Sequence, residues 1–501
     1  MSIQSAWQCV FDFFSPSPVV IEPSEAYLSS DAGLLPLRQF DERIGFSQRF
    51  INALDDRRTP ELIGHSFSEM LRARLYGIVA GYEDQNDHDA LRGDPVFKLI
   101  TGRRPDDDDL ASQPTLSRFE NSISIASLWR LRDALIDDFI ASFATPPRRL
   151  RFDLDAMDDP AHGQQQLIMF HGYYGQWQYL PLIISCADTD QIVIVSLRPG
   201  AMPAWLGADD DVEYLVSRLR AVWPDVDIEL RGDAGFGTPV MYDVCERLEV
   251  TYTFGIGSNA VLKRLSDELL GEAVEKYEKT GQPQRLFDTF DYQAGSWPIT
   301  RQVVVKAEAN AHGTNRRFVV TNRLGVRTLP GATYDEYADR GESENRHKEL
   351  KRGLAADRLS DHRFMANFFR LYLHAASLNL LVRLRHEVAD PPAAHDLRAL
   401  VSDDLKVVGE LPTEALKGCS RKQYQNRRRE RDPLGEGQPC TWRMHLIKVA
   451  AEIIPSTRRV LVRLAGHWPY LDYFRRVSEK ILSLPTLGNP PLDFQPLSNS
   501  T

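Results

Sequence analysis

Residues 226–256, VDIELRGDAGFGTPVMYDVCERLEVTYTFGI, decide the fold class of this 501-residue chain. VDIEL reads as a strand that enters the glycine-rich turn of RGDAGF. PVMYDVCERLE has helical spacing, and VTYTFGI is a second strand. Upstream, DVEYLVSRLRAVWP is helical and RRLRFDLDAM (148–157) alternates like a strand. Between these, LIMFHGYYGQWQYLPLIISCADTDQIVIVSL supplies apolar and aromatic runs broken by Gly and by Asp-Thr-Asp. Strands followed by alternating helices and strands indicate an α/β core with some parallel pairing.

Outward from this core the pattern changes. Residues 36–145 read as mostly helical, with LIGHSFSEMLRARLYGIVAGY ending at Gly81. Beyond residue 258 a charged helical stretch leads to RQVVVKAEA and RRFVVTNR, a short antiparallel pair joined by the polar turn NAHGTN. Residues 334–386 return to strong helix, and the remainder holds a basic run and a compact apolar tail. Charged residues at 26% and hydrophobic residues at 43% are ordinary soluble values and exclude collagen-like, disordered and disulfide-framework classes. Five cysteines without a CxxC pair suit free thiols, and no run of about 18 apolar residues predicts a membrane span. The start, MSIQSAWQCVFDFF, does not read as a signal peptide, so cytoplasmic residence is expected.

The net charge of −10 argues at face value against a nucleic-acid partner, but the charge is segregated. Residues 1–110 carry a net −8, residues 339–385 a net +4 and residues 414–476 a net +8. Only a uniformly basic DNA-binding protein is excluded. RKQYQNRRRER (421–431), with Arg427, Arg428 and Arg429, is a candidate DNA-binding run or a solvated loop. His162, His171 and His347 have no zinc spacing with a cysteine pair, and AGFGTP and GIGSN lack a phosphate-loop Lys-Ser/Thr.

Carboxylates carry the remaining chemistry. Alternation in LRFDLDAMDDP puts Asp153 and Asp155 on one side of a strand, with Phe152 and Leu154 on the other. Asp233 stands where its strand ends, and such a position in an α/β sheet is well placed for ligand chemistry. In DEYADRGESENRHKELKRGL (335–354), an ideal helix advancing about 100° per residue gathers Tyr337, Arg340, Glu344 and Lys351 within roughly a 60° arc. His347 and Lys348 flank that arc, while Glu342 and Glu349 point away. Glu344 is then the one carboxylate in a cationic and phenolic strip, although a solvated, salt-bridged helix has the same pattern.

The spacing Tyr337-x2-Arg340-x3-Glu344-x6-Lys351 resembles the Y-x2-R-x3-E-x6-K signature of insertion-sequence transposases of the IS4 class related to the Tn5 enzyme. GYEDQNDHDALRGDP (81–95), SQPTLSRFEN (112–121), DLDAMDDPAHGQQ (153–165) and RGDAGFGTP (231–239) resemble blocks of its IS1380-type branch. The resemblance spans about residues 30–480. It implies a DDE transposase with an RNase H-like catalytic core in an α/β fold. Asp155, Asp233 and Glu344 would be the catalytic, metal-binding carboxylates, holding Mg2+ (or Mn2+), with Asp153 the alternative to Asp155. Phosphodiester cleavage would free a 3′-OH that then attacks target DNA. Arg340, Lys351, Lys348 and Tyr337 would meet phosphates, and Trp297 in the insertion would stack a flipped base unless it is a core residue.

The implied organisation is a helical DNA-end-binding domain (1–146), a first core part (147–257), a β-rich insertion (258–332), a second core part with the signature helix (333–390) and a DNA-binding or dimerisation region (391–501). The implied partners are the terminal inverted repeats and target DNA, bound by a homodimer, with a cytoplasmic, nucleoid-associated location. A nuclease that cuts without joining, and a relict non-catalytic DNA-binding protein, are the rival readings.

Overall fold

A computed structural model describes residues 8–11, 17, 19–388 and 438–485. Its centre is one eight-stranded mixed sheet. Its strands, in chain order, are β1 (Arg149–Ala156), β2 (Leu182–Cys186), β3 (Ile192–Ser196), β4 (Asp227–Gly232), β5 (Thr251–Ile256), β6 (Gln284–Tyr292), β7 (Arg301–Asn310) and β8 (Gly313–Thr321). They lie in the order β6-β7-β8-β5-β4-β1-β2-β3. β1, β4 and β5 are parallel, because helices Ala208–Val222 and Pro239–Arg247 carry the chain back between them. β2 and β3 continue the sheet antiparallel on one side, and β8, β7 and β6 on the other.

Alternation divides the two faces. Phe152 and Leu154 of β1, and Ile228 and Leu230 of β4, pack with Val212, Leu215 and Leu219 of one helix and Met241 and Cys245 of the next. The intervening residues, Arg151, Asp153, Glu229 and Arg231, are also buried, but on the opposite, polar face. That face is closed by residues 330–353. Beyond β2 and β3 it is closed by the long helix Phe364–Val388, whose Asn379 bonds the backbone N–H and C=O of Ile192 at 2.8 and 2.7 Å.

The strands that follow residue 258 extend the central sheet rather than build a separate one. β7 and β8 form a hairpin closed by Ala311 and His312, and β8 pairs with β5 through Thr253↔Thr321 to Ile256↔Phe318. The amino-terminal helices likewise share a single core. Leu71, Leu75 and Ile78 pack with Leu371, Leu378 and Leu381 of the long helix and with Trp442, Val477 and Ile481 near the carboxyl terminus. Strand Ala451–Pro455 pairs with both Val460–Leu464 and Tyr27–Ser29, tying the two ends of the chain together. Among the described residues no helix is long and apolar enough to cross a membrane.

One expectation is corrected. The segment 334–386 is not continuous helix. It runs as an α-helix (Pro330–Ala338), a 3-10 turn (Asp339–Glu342), a short α-helix (Ser343–Lys348) and a π turn (Glu349–Gly353). Ala355, at φ 58°, then turns the chain before the long helix begins at Phe364.

Candidate active site

β1 and β4 are paired in parallel with Arg231 opposite Asp153 and Gly232 opposite Leu154. One step further along, Asp155 and Asp233 stand together at the carboxyl ends of adjacent strands. Asp153 is committed elsewhere: both its oxygens accept from Arg231, at 2.7 and 2.9 Å, in a fully buried fork. Asp155 is left as the carboxylate of β1 that faces the strand ends. Burial raises its pKa and the neighbouring Asp233 adds to the rise, against the lowering influence of His347 and Arg340.

The 330–353 segment lies across these strand ends. Arg340 Nη1 is 3.5 Å from the Asp155 carboxylate, His347 Nδ1 is 3.8 Å away, and the Ser343 hydroxyl donates to it at 3.4 Å. Burial holds His347 below its usual pKa. The Arg340 guanidinium lies 5.8 Å from the Tyr337 ring centre. Tyr337 fits because residue 255 is glycine: a Cβ there would come within 2.9 Å of the phenol oxygen and 3.0 Å of Ala234 N. The Asp233 turn is held by its own carboxylate, which accepts from Gly235 N at 2.8 Å.

Lys351 Nζ donates to the Asp158 carboxylate and carbonyl, both at 2.8 Å, so the signature segment is pinned to the chain just beyond β1. Glu344 stands exposed in the first turn of the Ser343–Lys348 helix, one turn before His347. Among the described residues no group of three His, Cys, Asp or Glu closes to metal-ligating distances. The structure thus brings together Asp155, Asp233, Arg340 and Tyr337, and leaves Glu344 at the rim.

A family model described as transposase DDE domain group 1 matches residues 13–406. The chain belongs to that family. No curated protein matches it. Among solved structures, a piggyBac transposase synaptic complex with hairpin DNA is similar at 12% identity and a TM-score of 0.38, covering 80% of this chain and 87% of that one.

Within this DDE transposase domain the other sequence candidates have definite places. Trp297 is a core residue, 8% exposed, with its ring 5.2 Å from Tyr242 and 5.3 Å from Tyr292. Lys348 is exposed beside the signature segment. Arg427, Arg428 and Arg429 lie outside the described residues. The blocks 81–95 and 112–121 do structural tasks. Asp94 caps the Pro95–Thr101 helix, Asp89 accepts from Gln113 N, and Glu120 is clamped between Arg74 at 2.7 Å and Arg370 at 2.6 Å. Ser343 is a site contact that sequence reasoning missed. Its signal was the spacing Arg340, Ser343, His347, which shares a face in a tightened helix.

Proposed function

We propose that the chain is a cut-and-paste DNA transposase of the IS1380 type with an RNase H-like core. It cleaves at terminal inverted repeats and joins the freed 3′-OH to target DNA, working as a homodimer. The observation that carries this reading is the pairing of Asp155 with Asp233 at the ends of adjacent parallel strands, beneath Arg340 and Tyr337. The strand order β3-β2-β1-β4-β5, antiparallel then parallel, supports an RNase H-like core.

The donors fit a divalent cation such as Mg2+ (or Mn2+). They are hard carboxylate oxygens, and the cost of ionising Asp155 in a buried site beside Asp233 is one that a cation relieves. Asp155 and Asp233 would hold it, with Glu344 joining when the short helix between the 3-10 and π turns shifts to face them; π turns recur at functional sites. Bound there, the cation supplies charge stabilisation for the in-line displacement at phosphorus. Arg340 holds a phosphate beside the carboxylates, Tyr337 donates to it, and Lys351 and Lys348 position the flanking backbone.

Duplexes taken from the DNA flanking the gene test this reading. Wild type is expected to cleave them and join the 3′-OH end to a second DNA. Asp233→Asn and Glu344→Gln are expected to lose cleavage while binding the same duplex almost unchanged. Cleavage without joining assigns a nuclease, and undiminished cleavage by either variant sinks the ligand assignment.

A further inference from the structure

The sequence MFHGYYGQWQY (169–179) puts six aromatic side chains, counting His171, into eleven residues, and the fold leaves most of them in solvent. Tyr173 is 88% exposed and Trp177 59%, with Phe170, Met169 and Tyr174 also exposed. Contiguous apolar surface of this kind marks an interaction site. The segment is not loose. Met169–His171 pairs antiparallel with Gln176–Tyr179, and Gly175, at φ 66°, donates back to His171 O at 2.8 Å. Phe170 and Trp177 are opposite each other across the ladder, ring centres 6.1 Å apart, and Tyr174 lies against both His171 and Tyr173. At its base, Gly200 packs so closely that a Cβ would sit 1.9 Å from Gln178 O.

The hairpin grows directly out of the carboxylate strand. Asp159 and Pro160, just past β1, pair with Tyr179 and Gln178 as its third strand. Asp158, which holds Lys351, is also approached by Gln176 Nε2 at 3.5 Å. Tyr174 is near enough to the site that Asp158, Asp155 and Asp233, after burial, all push its phenol pKa upward. No Lys or Arg lies within 169–179, so the patch is made for flat apolar partners rather than for phosphates.

We propose that the Phe170–Trp177 hairpin is a base-stacking platform whose rings receive nucleobases unpaired from the duplex beside the phosphodiester cut at Asp155 and Asp233. The inference rests on the transposase reading and gives it a residue-level device in place of the buried Trp297. Stacking on aromatic rings is sequence-tolerant, since every base has a π-face, and it offsets the cost of leaving the duplex. Arg340 and Lys351 hold the backbone while the hairpin holds the bases.

The test compares wild type with Phe170→Ala, Trp177→Ala and the double variant. Substrates are a fully paired duplex from the gene's flank and the same duplex with mismatches next to the cut. Each substitution is expected to slow cleavage of the paired end by about tenfold, and the mismatched end is expected to restore it. Equal losses on both substrates, or no loss on either, overturn the proposal. So does conversion of a dimer to a monomer by Trp177→Ala without DNA, which assigns the patch to self-association. In the Asp233→Asn background, permanganate reactivity of thymines beside the cut reads unstacking without cleavage. Reactivity in the bound duplex that Trp177→Ala changes supports the platform, and its absence overturns it. This readout fails independently of the catalytic assignment.

Discussion

Asp153 and Asp155 are two residues apart on the same face of the same strand, and nothing in their spacing says which serves as ligand. The neighbouring strand decides. Arg231 takes both oxygens of Asp153, so that residue neutralises a buried guanidinium, while Asp155 turns to Asp233. Asp153→Asn therefore leaves Arg231 buried without a counterion and is expected to cost about 3–5 kcal/mol in a urea unfolding titration. Asp155→Asn is expected to leave stability nearly unchanged, since it removes a carboxylate that burial already disfavours. At Lys351 the phosphate role and the Asp158 tether make different predictions. Lys351→Ala is expected to lower the salt dependence of DNA affinity by about one phosphate contact. An unchanged slope with a lowered melting temperature would make the residue a tether alone.

At the scale of elements, the signature segment is where ideal geometry misleads. A constant 100° step predicts that Glu344 shares an arc with Arg340 and Lys351. The 3-10 turn at Asp339–Glu342 advances about 120° per residue, and the π turn at Glu349–Gly353 advances less. Arg340 and His347 consequently face Asp155, Lys351 reaches Asp158, and Glu344 is carried to the rim. The strands were legible because alternation is a local property: Phe152, Leu154, Ile228 and Leu230 turn to the apolar core exactly opposite the carboxylate face. The block 112–121 reads in sequence as a family signature. In the structure its Glu120 joins the amino-terminal helices to the long helix through Arg74 and Arg370. Glu120→Ala strands two buried arginines, and a loss of about 3–5 kcal/mol is expected by thermal or chemical unfolding, with no specific loss of cleavage by the protein that remains folded.

Across the whole molecule, the amino-terminal helices, the long helix and the carboxyl-terminal segment form one core, so titration at its centre is felt globally. His374 is completely buried on the long helix, and burial, with Arg74 and Arg370 nearby, pushes its pKa down from 6.5 to about 3. The unfolded chain binds this proton below pH 6.5 and the folded one does not. Stability should therefore be fully present above pH 6.5 and fall by about 1.4 kcal/mol per pH unit between 6.5 and 3 on this account alone. His374→Gln should flatten that slope by one proton in unfolding midpoints measured across the range; an unchanged slope would contradict the burial.

By itself the sequence determined the α/β core, the polar and apolar faces of β1 and β4, the β7–β8 hairpin and the motifs by which the chain resembles DDE transposases. All of these are written in periodicity or in short spacings along the chain. Tertiary structure decided what depends on neighbours distant in sequence. Arg231 excludes Asp153, the Tyr242 and Tyr292 rings enclose Trp297, and the strand pairing beyond Asp155 sets an aromatic hairpin beside the carboxylates. Periodicity says which side of an element a residue is on; only packing says what waits on that side.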